Sequence, residues 1–526
     1  MGILDRKIPF YIFFALLIVI AIYIRVQGVG DYYYSEDESF HIRMAQGKDL
    51  KEVLQFSLYE THPPLGNIIR HYWLKISEQI WFARSLSLLF GIALIPLYYL
   101  IGKKLNGKLT GICAAILMTF SYGCIIQSFV ARNYTTFLFF LSSAFYFYLL
   151  WQDNRQNKTL LGYFVFSALA CLTHLYGIFA IFTIASYSSV KMFVTKEDGQ
   201  SQSKWAIVNI LVAIIFLTVI FIWKNTSRLD GAFYILTIED ILQIPIRITF
   251  YIISNSKIIV ISMIILYLKT NKGASLQHLL YLSLISIFIA MIAAACGMFV
   301  GMGSRHDLWM LPFILIIASI IIAGTIDKLN VTKSALIIGL IFCELLLYDP
   351  TEKFNDPTEY TTFSDEWQQF EKYTDTLNRN SIIIVDRDDA ILPVNIYNYL
   401  GQDAFIKGNH ATLIPYKKTG IIINPYIRHI YQDADLIDSI NQANQKHFLD
   451  KVDKLVFLRL IPDELTKKKS EAVKDLLFMK LLNCQYLEKE VISLYPNGSL
   501  KLFSVNKNTF FEYIQHNDGK PSLCKP

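Results

Sequence analysis

Ile8-Pro9-Phe10-Tyr11-Ile12-Phe13-Phe14-Ala15-Leu16-Leu17-Ile18-Val19-Ile20-Ala21-Ile22-Tyr23-Ile24, followed by Arg25-Val26-Gln27-Gly28, decides the fold class of this chain. The run approaches the roughly 20 residues that cross ~30 Å of hydrocarbon as a helix. It is preceded by the short basic segment Met1 to Lys7, and no small-residue cleavage site follows it. A retained membrane helix is therefore expected rather than a removed signal peptide.

Working outward, further apolar runs occupy Phe82 to Ile101, Leu109 to Val130, Thr135 to Trp151, Leu160 to Thr173, Tyr176 to Met192, Trp205 to Trp223, about Ile248 to Leu268, Leu279 to Val300, Leu308 to Ile326 and Ala335 to Tyr348. Of the 526 residues, 53% are hydrophobic and only 17% charged, so apolar surface far exceeds what a soluble core consumes. The expectation is an α-helical polytopic membrane protein with about 11 transmembrane helices. Basic residues set its orientation: Arg6 with Lys7, Lys103 with Lys104 and Lys108, Arg155 with Lys158, Lys191 with Lys196 and Lys204, Lys269 with Lys272, and Lys328 with Lys333 fall on alternate loops. Short cytoplasmic loops retain Lys and Arg, so the N-terminus is expected in the cytoplasm. The net charge of +6 is accounted for by these loops, so no nucleic acid partner is expected.

From Asp349 the composition turns polar. Ser381 to Val385 and Leu455 to Leu458 read as buried strands, Asp433 to Asp450 and Asp463 to Leu482 as amphipathic helices. Val491 to Tyr495 and Leu500 to Val505 flank Pro496-Asn497-Gly498-Ser499, a strong hairpin signal. The predicted division is a transmembrane domain over 1–348, with its first outside loop at 25–80, and a C-terminal α/β extracytoplasmic domain over 349–526. Cys113, Cys124, Cys171, Cys296 and Cys343 lie in apolar runs as small hydrophobes, whereas Cys484 and Cys524 stand in the exported domain, where a bridge between them is open.

Ionisable groups concentrate in that first outside loop: Tyr32-Tyr33-Tyr34-Ser35-Glu36-Asp37-Glu38-Ser39-Phe40-His41, then Glu60-Thr61-His62-Pro63-Pro64-Leu65. Charges beside a membrane helix are costly to desolvate, which marks a functional site. In a helix Asp37 and His41 share a face. Such groups can activate an acceptor hydroxyl or hold a divalent cation, and both readings stay open. The double proline stiffens the turn that presents Glu60 and His62. Asn67 to Ser77 then reads as a surface helix whose Arg70, His71, Trp73 and Lys75 suit a lipid headgroup layer. Arg132 and Arg305 stand at outside helix ends, where a planar guanidinium fork can bind phosphate.

Together, Asp37-Glu38, Thr61-His62-Pro63-Pro64-Leu65, Ala131-Arg132-Asn133-Tyr134, Leu172-Thr173-His174-Leu175-Tyr176-Gly177 and Arg305-His306 followed by Leu311-Pro312 resemble the GT-C glycosyltransferases of the protein mannosyltransferase and aminoarabinose transferase type, also labelled rhizobial lipopolysaccharide glycosyltransferase-like. The resemblance covers Ile8 to Tyr348. It implies the GT-C fold, a polyprenyl-phosphate-linked sugar as donor and transfer on the outer face. Asp37 matches the family's loop carboxylate, a general base or part of a metal site, with Glu38 its partner. His62 falls where some relatives carry Lys before Pro-Pro and others His, leaving phosphate contact and metal ligation both open. Glu60 sits two before His62, as in the His-type relatives; the Lys-type relatives place the acid where Thr61 stands.

The expected function is therefore a membrane glycosyltransferase with an inverting displacement. Asp37, Glu38 and His62 are the catalytic candidates. Glu60, Arg132, His174, Tyr176, Arg305 and His306 are the substrate-binding candidates. Asp37, Glu60 and His62 form a candidate divalent metal set, better suited to Zn²⁺ or Mn²⁺ than to Mg²⁺. The acceptor is open among lipid A, a glycan, a wall polymer and a protein. The rival class is a transporter or flippase of lipid-linked saccharides, which would carry its polar groups near the midplane and in repeated halves; here they lie at one face and no repeat is evident.

Overall fold

The structure, a computed structural model, describes residues 7–27, 29, 36–47, 49–57, 62–224, 239, 241–246, 274–295, 305–328, 339, 372–373, 376–377, 381–385, 412–416, 419–423, 449–460, 489–493 and 500–516. The chain divides into two compact units, Met1–Val29 with Met44–Lys353, and Gly30–Arg43 with Phe354–Pro526.

In the first unit the apolar runs fold as helices α1 (Lys7–Val26), α3 (Leu50–Ser57), α4 (Leu65–Leu74), α5 (Ile80–Asn106), α6 (Lys108–Phe120), α7 (Tyr122–Phe129), α8 (Tyr134–Asn154), α9 (Asn157–Thr173), α10 (Gly177–Val194), α11 (Gly199–Lys224), α12 (Ala274–Ala295) and α13 (Leu311–Lys328), the last preceded by a 3-10 turn at Arg305–Met310. Within a bilayer the backbone has no water to bond, so helices are the form these runs must take. Among the described residues α5, α8, α10 and the Gly199–Ile222 part of α11 are long and apolar enough to cross a membrane, while Phe10–Val26, Leu280–Ala293 and Leu308–Gly324 are shorter apolar helices. The expected runs at 248–268 and 335–348 lie outside the described residues, apart from 339.

One expected span is corrected. Leu109 to Val130 is not one helix: α6 and α7 meet at an angle of 53°. Ser121 between them has extended backbone (φ −62°, ψ 111°), which ends α6 without a proline. The core runs along α5, which packs against α6 and α8; α8 packs against α9, and α13 lies on α5 and α6. The Arg305–Met310 turn packs against α8, α10 and α13.

Hydrogen bonds fix the directions of the central helices. Ser87 Oγ, in the first third of α5, donates to the Arg132 carbonyl (2.9 Å), and Thr135 Oγ1, at the start of α8, donates to the Ser87 carbonyl (2.9 Å). At the far ends Lys104 pairs with Asp153. Helices α5 and α8 are therefore parallel. Arg155 closes α8 in left-handed backbone (φ 50°) and pairs with Glu197. Lys191 donates to Gln152 Oε1 (2.8 Å) at the same end, so basic residues from alternate loops do gather there. Asp198 caps α11, accepting the Ser201 backbone N–H (2.8 Å). Hydrogen bonds from the Ser201 hydroxyl and N–H hold its carboxyl below the usual range.

The second unit contains a six-stranded sheet of β1 (Ser381–Val385), β2 (Thr412–Tyr416), β3 (Thr419–Ile423), β4 (Lys454–Leu460), β5 (Lys489–Ser493) and β6 (Leu500–Asn506), in the order β2-β3-β1-β4-β6-β5. Central β1 runs parallel to β3 and β4. Its unbroken apolar sequence suits burial on both faces, as parallel strands require. The expected strands at 381–385 and 455–458 are β1 and the middle of β4. Strands β5 and β6 pair antiparallel as the expected hairpin, Ser493 opposite Lys501. Not foreseen were the β2–β3 hairpin, with Pro415 on an edge strand where no ladder donor is missed, and the last helix, α14 (Lys507–His516). Asn506 Oδ1 accepts the Asn508 N–H (2.9 Å) to cap α14. The expected helices at 433–450 and 463–482 and the pair Cys484 and Cys524 lie outside the described residues, apart from 449 and 450. Helix α2 (Glu36–Ala45) begins within the short segment grouped with this unit.

Candidate active site

At one end of the membrane unit, the turn before α4, the turn before α8 and the turn after α9 meet. Pro64 opens α4 in helical backbone (φ −70°, ψ −17°), its fixed φ suited to a helix start, and its carbonyl accepts the Ile68 N–H (2.9 Å). His62 precedes this double proline, so its position is set by a stiff element. Gly66, one turn on, is pressed against Asn133: a Cβ built there would overlap the Asn133 carboxamide. Any larger residue would drive the His62 turn away from Arg132 and Asn133.

Arg132 occupies the short Val130–Asn133 connection into α8 and is 4% exposed. Its guanidinium lies 4.9 Å from the Tyr134 ring centroid. Its backbone is held from both sides, since its N–H donates to the Val130 carbonyl (2.8 Å) and its carbonyl accepts Ser87 Oγ. The adjoining Asn133 is held in turn by Arg70, whose Nη2 reaches Asn133 Oδ1 (3.5 Å) while Nη1 donates to the Ala83 carbonyl (3.1 Å). Arg132 thus adds a full positive charge to the positive end of the α8 dipole, equivalent to roughly +0.5 charge.

His174 ends α9 in extended backbone (φ −151°, ψ 137°) and is 3% exposed. Its Nδ1 accepts the Tyr176 backbone N–H (3.2 Å), which assigns the ring proton to Nε2. Around it the rings interlock: His62 lies edge-on at 4.5 Å, Tyr176 at 4.7 Å, Phe137 stacked at 5.1 Å and Tyr134 at 5.2 Å. The chain of rings continues through Tyr176–Phe179 and Phe179–Trp309, each 6.0 Å apart, to the turn that carries Arg305 and His306. The structure therefore brings together His62, Arg132, His174 and Tyr176. The backbone of Arg305 and His306 opens a 3-10 turn packed on α8 and α10; their side chains lie outside the described ones.

Asp37 and Glu38 belong to the other unit. Asp37, Glu38 and His41 fall in one helix, α2, with Glu38 and His41 buried. The Asp37 side chain, and Glu60 and Thr61 altogether, lie outside the described residues. Of the expected metal set only the His62 side chain is described, and among the described residues no group of three or more His, Cys, Asp or Glu could hold a metal ion.

The expected surface helix is also corrected. Arg70 and His71 of α4 are buried, not presented to a headgroup layer. His71 Nδ1–H donates to the Ala45 carbonyl (2.8 Å), and Trp73 Nε1 donates to the Phe82 carbonyl (2.9 Å). Only Tyr72, Lys75 and Ile76 on that stretch are exposed. Two further buried arginines were not singled out from the sequence. Arg84 donates to the Val29 carbonyl (2.9 Å) and lies 5.1 Å from the Phe129 ring, and Arg25 donates to carbonyls of α6. The signal for Arg84 was available, a cation inside an apolar run.

Residues 61–226 match the family described as dolichyl-phosphate-mannose-protein mannosyltransferase. The fold is similar to that of ArnT from Cupriavidus metallidurans bound to undecaprenyl phosphate, with a TM-score of 0.55 and 10% identity over 94% of this chain and 98% of that one. Apo ArnT gives a TM-score of 0.52 at 10% identity over 94% and 97%. A looser similarity, TM-score 0.47 and 11% identity over 91% of this chain and 73% of the other, joins it to the apo oligosaccharyltransferase of Archaeoglobus fulgidus. The curated proteins give no sequence match.

Proposed function

We propose that this chain is a GT-C superfamily protein of the mannosyltransferase and aminoarabinose transferase type, a reading supported by the family match over residues 61–226 and by the fold, and that it transfers one sugar from a polyprenyl-phosphate donor to an acceptor on the outer face of the cytoplasmic membrane. The observation that carries the proposal is Arg132, a buried cation at the N-terminal end of α8, walled by Tyr134 and close to the ring cluster of His62 and His174. A fixed cation in a dry site suits a group whose negative charge grows as it departs. The solved ArnT complex holds undecaprenyl phosphate in the same fold, which supports a polyprenyl phosphate here.

In this reading the N-terminus is cytoplasmic, the 1–348 domain carries the reaction and the 349–526 domain lies outside. Asp37 takes the proton of the acceptor hydroxyl. The freed oxygen attacks the anomeric carbon from the face opposite the phosphate, the bond from that carbon to the phosphate oxygen breaks, and its electron pair leaves on the phosphate. Configuration at the sugar inverts. Arg132 and Arg305 neutralise the departing phosphate, Glu38 and His62 orient the acceptor, and Glu60, His174, Tyr176 and His306 line the substrate. A divalent cation held by Asp37, Glu60 and His62 would supply a further positive charge there.

The test has two parts. Deletion of the gene in its host, followed by mass spectrometry of glycolipids and glycoproteins, identifies sugar and acceptor by the increment that disappears; unchanged inventories of both would overturn the proposal. With that donor in hand, Asp37→Asn in monodisperse protein should lower turnover roughly 10²- to 10⁴-fold, the usual cost of losing a general base. Near-normal turnover would remove Asp37 from the mechanism.

A further inference from the structure

Helices α6 and α7 break at Ser121 inside the apolar core, where carbonyls left by the break have no water to bond. Arg25, on the last turn of α1 and fully buried, meets them. Its Nη1 donates to the Thr119 carbonyl (2.9 Å), its Nη2 to the Met118 carbonyl (3.0 Å), and its Nε to Ser128 Oγ (3.3 Å). One guanidinium thus holds the C-terminal end of α6 and a residue near the end of α7. Its charge also suits the negative end of the α6 dipole. From the other side, Gly91 of α5 sits so close to Ser128 that a Cβ there would overlap the hydroxyl. The end of α7 is the start of Val130–Asn133, the connection that carries Arg132.

We infer that Arg25 is a positioning residue: by clamping the break between α6 and α7 it fixes where Arg132 stands. The inference rests on the reading that Arg132 binds the donor phosphate. The lever is large enough to matter. An eight-residue helix is about 12 Å long, so a change of ~10° in the bend moves its far end by roughly 2 Å. A misplacement of about 1 Å at a reacting group can cost roughly 10²-fold. Lysine has the charge of Arg25 but not the fork that spans both helices.

The experiment is a double-mutant cycle on the full chain, with undecaprenyl phosphate as the probe and its dissociation constant as the readout. Arg132→Ala defines the phosphate contact. Arg25→Gln is expected to weaken binding roughly tenfold when Arg132 is present and by less than about twofold in the Arg132→Ala background, because coupled residues are not additive. Arg25→Lys should restore part of the loss. Ser128→Ala, which removes the Arg25 partner on α7 and leaves the α6 carbonyls in place, should show the same coupling at smaller size and serves if Arg25→Gln is not monodisperse. Equal weakening in both backgrounds, or none in either, overturns the inference while Arg132→Ala still weakens binding. If Arg132→Ala leaves the affinity unchanged, the phosphate reading falls first and the inference with it.

Discussion

Helix α8 has an arginine at each end, and the two ends treat it in opposite ways. Arg132, before the first turn, is 4% exposed, beside Tyr134, with its backbone tied to Ser87. Arg155, after the last turn, also lies over an aromatic ring, Trp151 at 4.3 Å, but its side chain is 26% exposed and pairs with Glu197. A cation paired across a partly exposed surface contributes little and serves to anchor the helix end. A cation kept dry beside a ring is costly to bury, and such costs are characteristic of functional sites. On the proposed function, the same residue type is an anchor at one end of the helix and a binding group at the other.

The contrast breaks most visibly at Arg132. Arg132→Ala should weaken undecaprenyl phosphate binding by about 2–4 kcal/mol, roughly 30- to 1000-fold, as expected for truncating one member of a desolvated charge pair. Arg132→Lys should fall between, since it retains charge without the fork. Calorimetric titration of both variants checks this.

Next in size is Gly66→Ala. Its methyl must displace the Asn133 side chain, and overpacking of this kind costs about 1–3 kcal/mol. Thermal unfolding should show that loss together with weaker lipid binding, because the displaced residue adjoins Arg132; lower stability with unaltered binding would separate the His62 turn from the phosphate site.

Arg155→Ala sharpens the comparison by its smallness. The partly exposed pair with Glu197 should contribute only about 0.2–1 kcal/mol of stability, screened by salt, and lipid affinity should stay unaltered. A large drop in affinity would erase the distinction between the two ends.

Smallest is the effect of the α11 cap. The Asp198 carboxyl is depressed by its bonds with Ser201, so its contribution is present above the ordinary carboxylate range and is lost as pH falls through it. Asp198→Ala should therefore unfold at slightly lower temperature than the parent at pH 7, with the gap closing near and below pH ~4. A gap that persists at low pH would assign the effect to packing instead.

The spans were legible because long apolar runs leave a chain few alternatives, as Tyr134–Asn154 and Gly177–Val194 show. The break at Ser121 was not, because nothing local marks it: the donors that make it tolerable come from Arg25, distant in the sequence. Helix α4 misled in the other direction. Its charged and aromatic residues read as a surface face, yet Arg70 and His71 turn inward to meet carbonyls and an amide supplied by other segments. At the site, His62 carried a local signal in its double proline, whereas His174 stood out only through the family resemblance. A single histidine between apolar helices has no spacing that announces its neighbours; the ring cluster exists only once α4, α8 and α9 converge.

The most direct measurement compares undecaprenyl phosphate with undecaprenol, the same chain without its phosphate, as ligands of the parent protein and of Arg132→Ala. If the dry end of α8 is an anion site, the parent prefers the phosphate by roughly the 30- to 1000-fold given above and Arg132→Ala loses most of that preference. Equal affinity of the parent for both lipids, or a preference that survives in Arg132→Ala, would contradict the assignment of Arg132 to the donor phosphate.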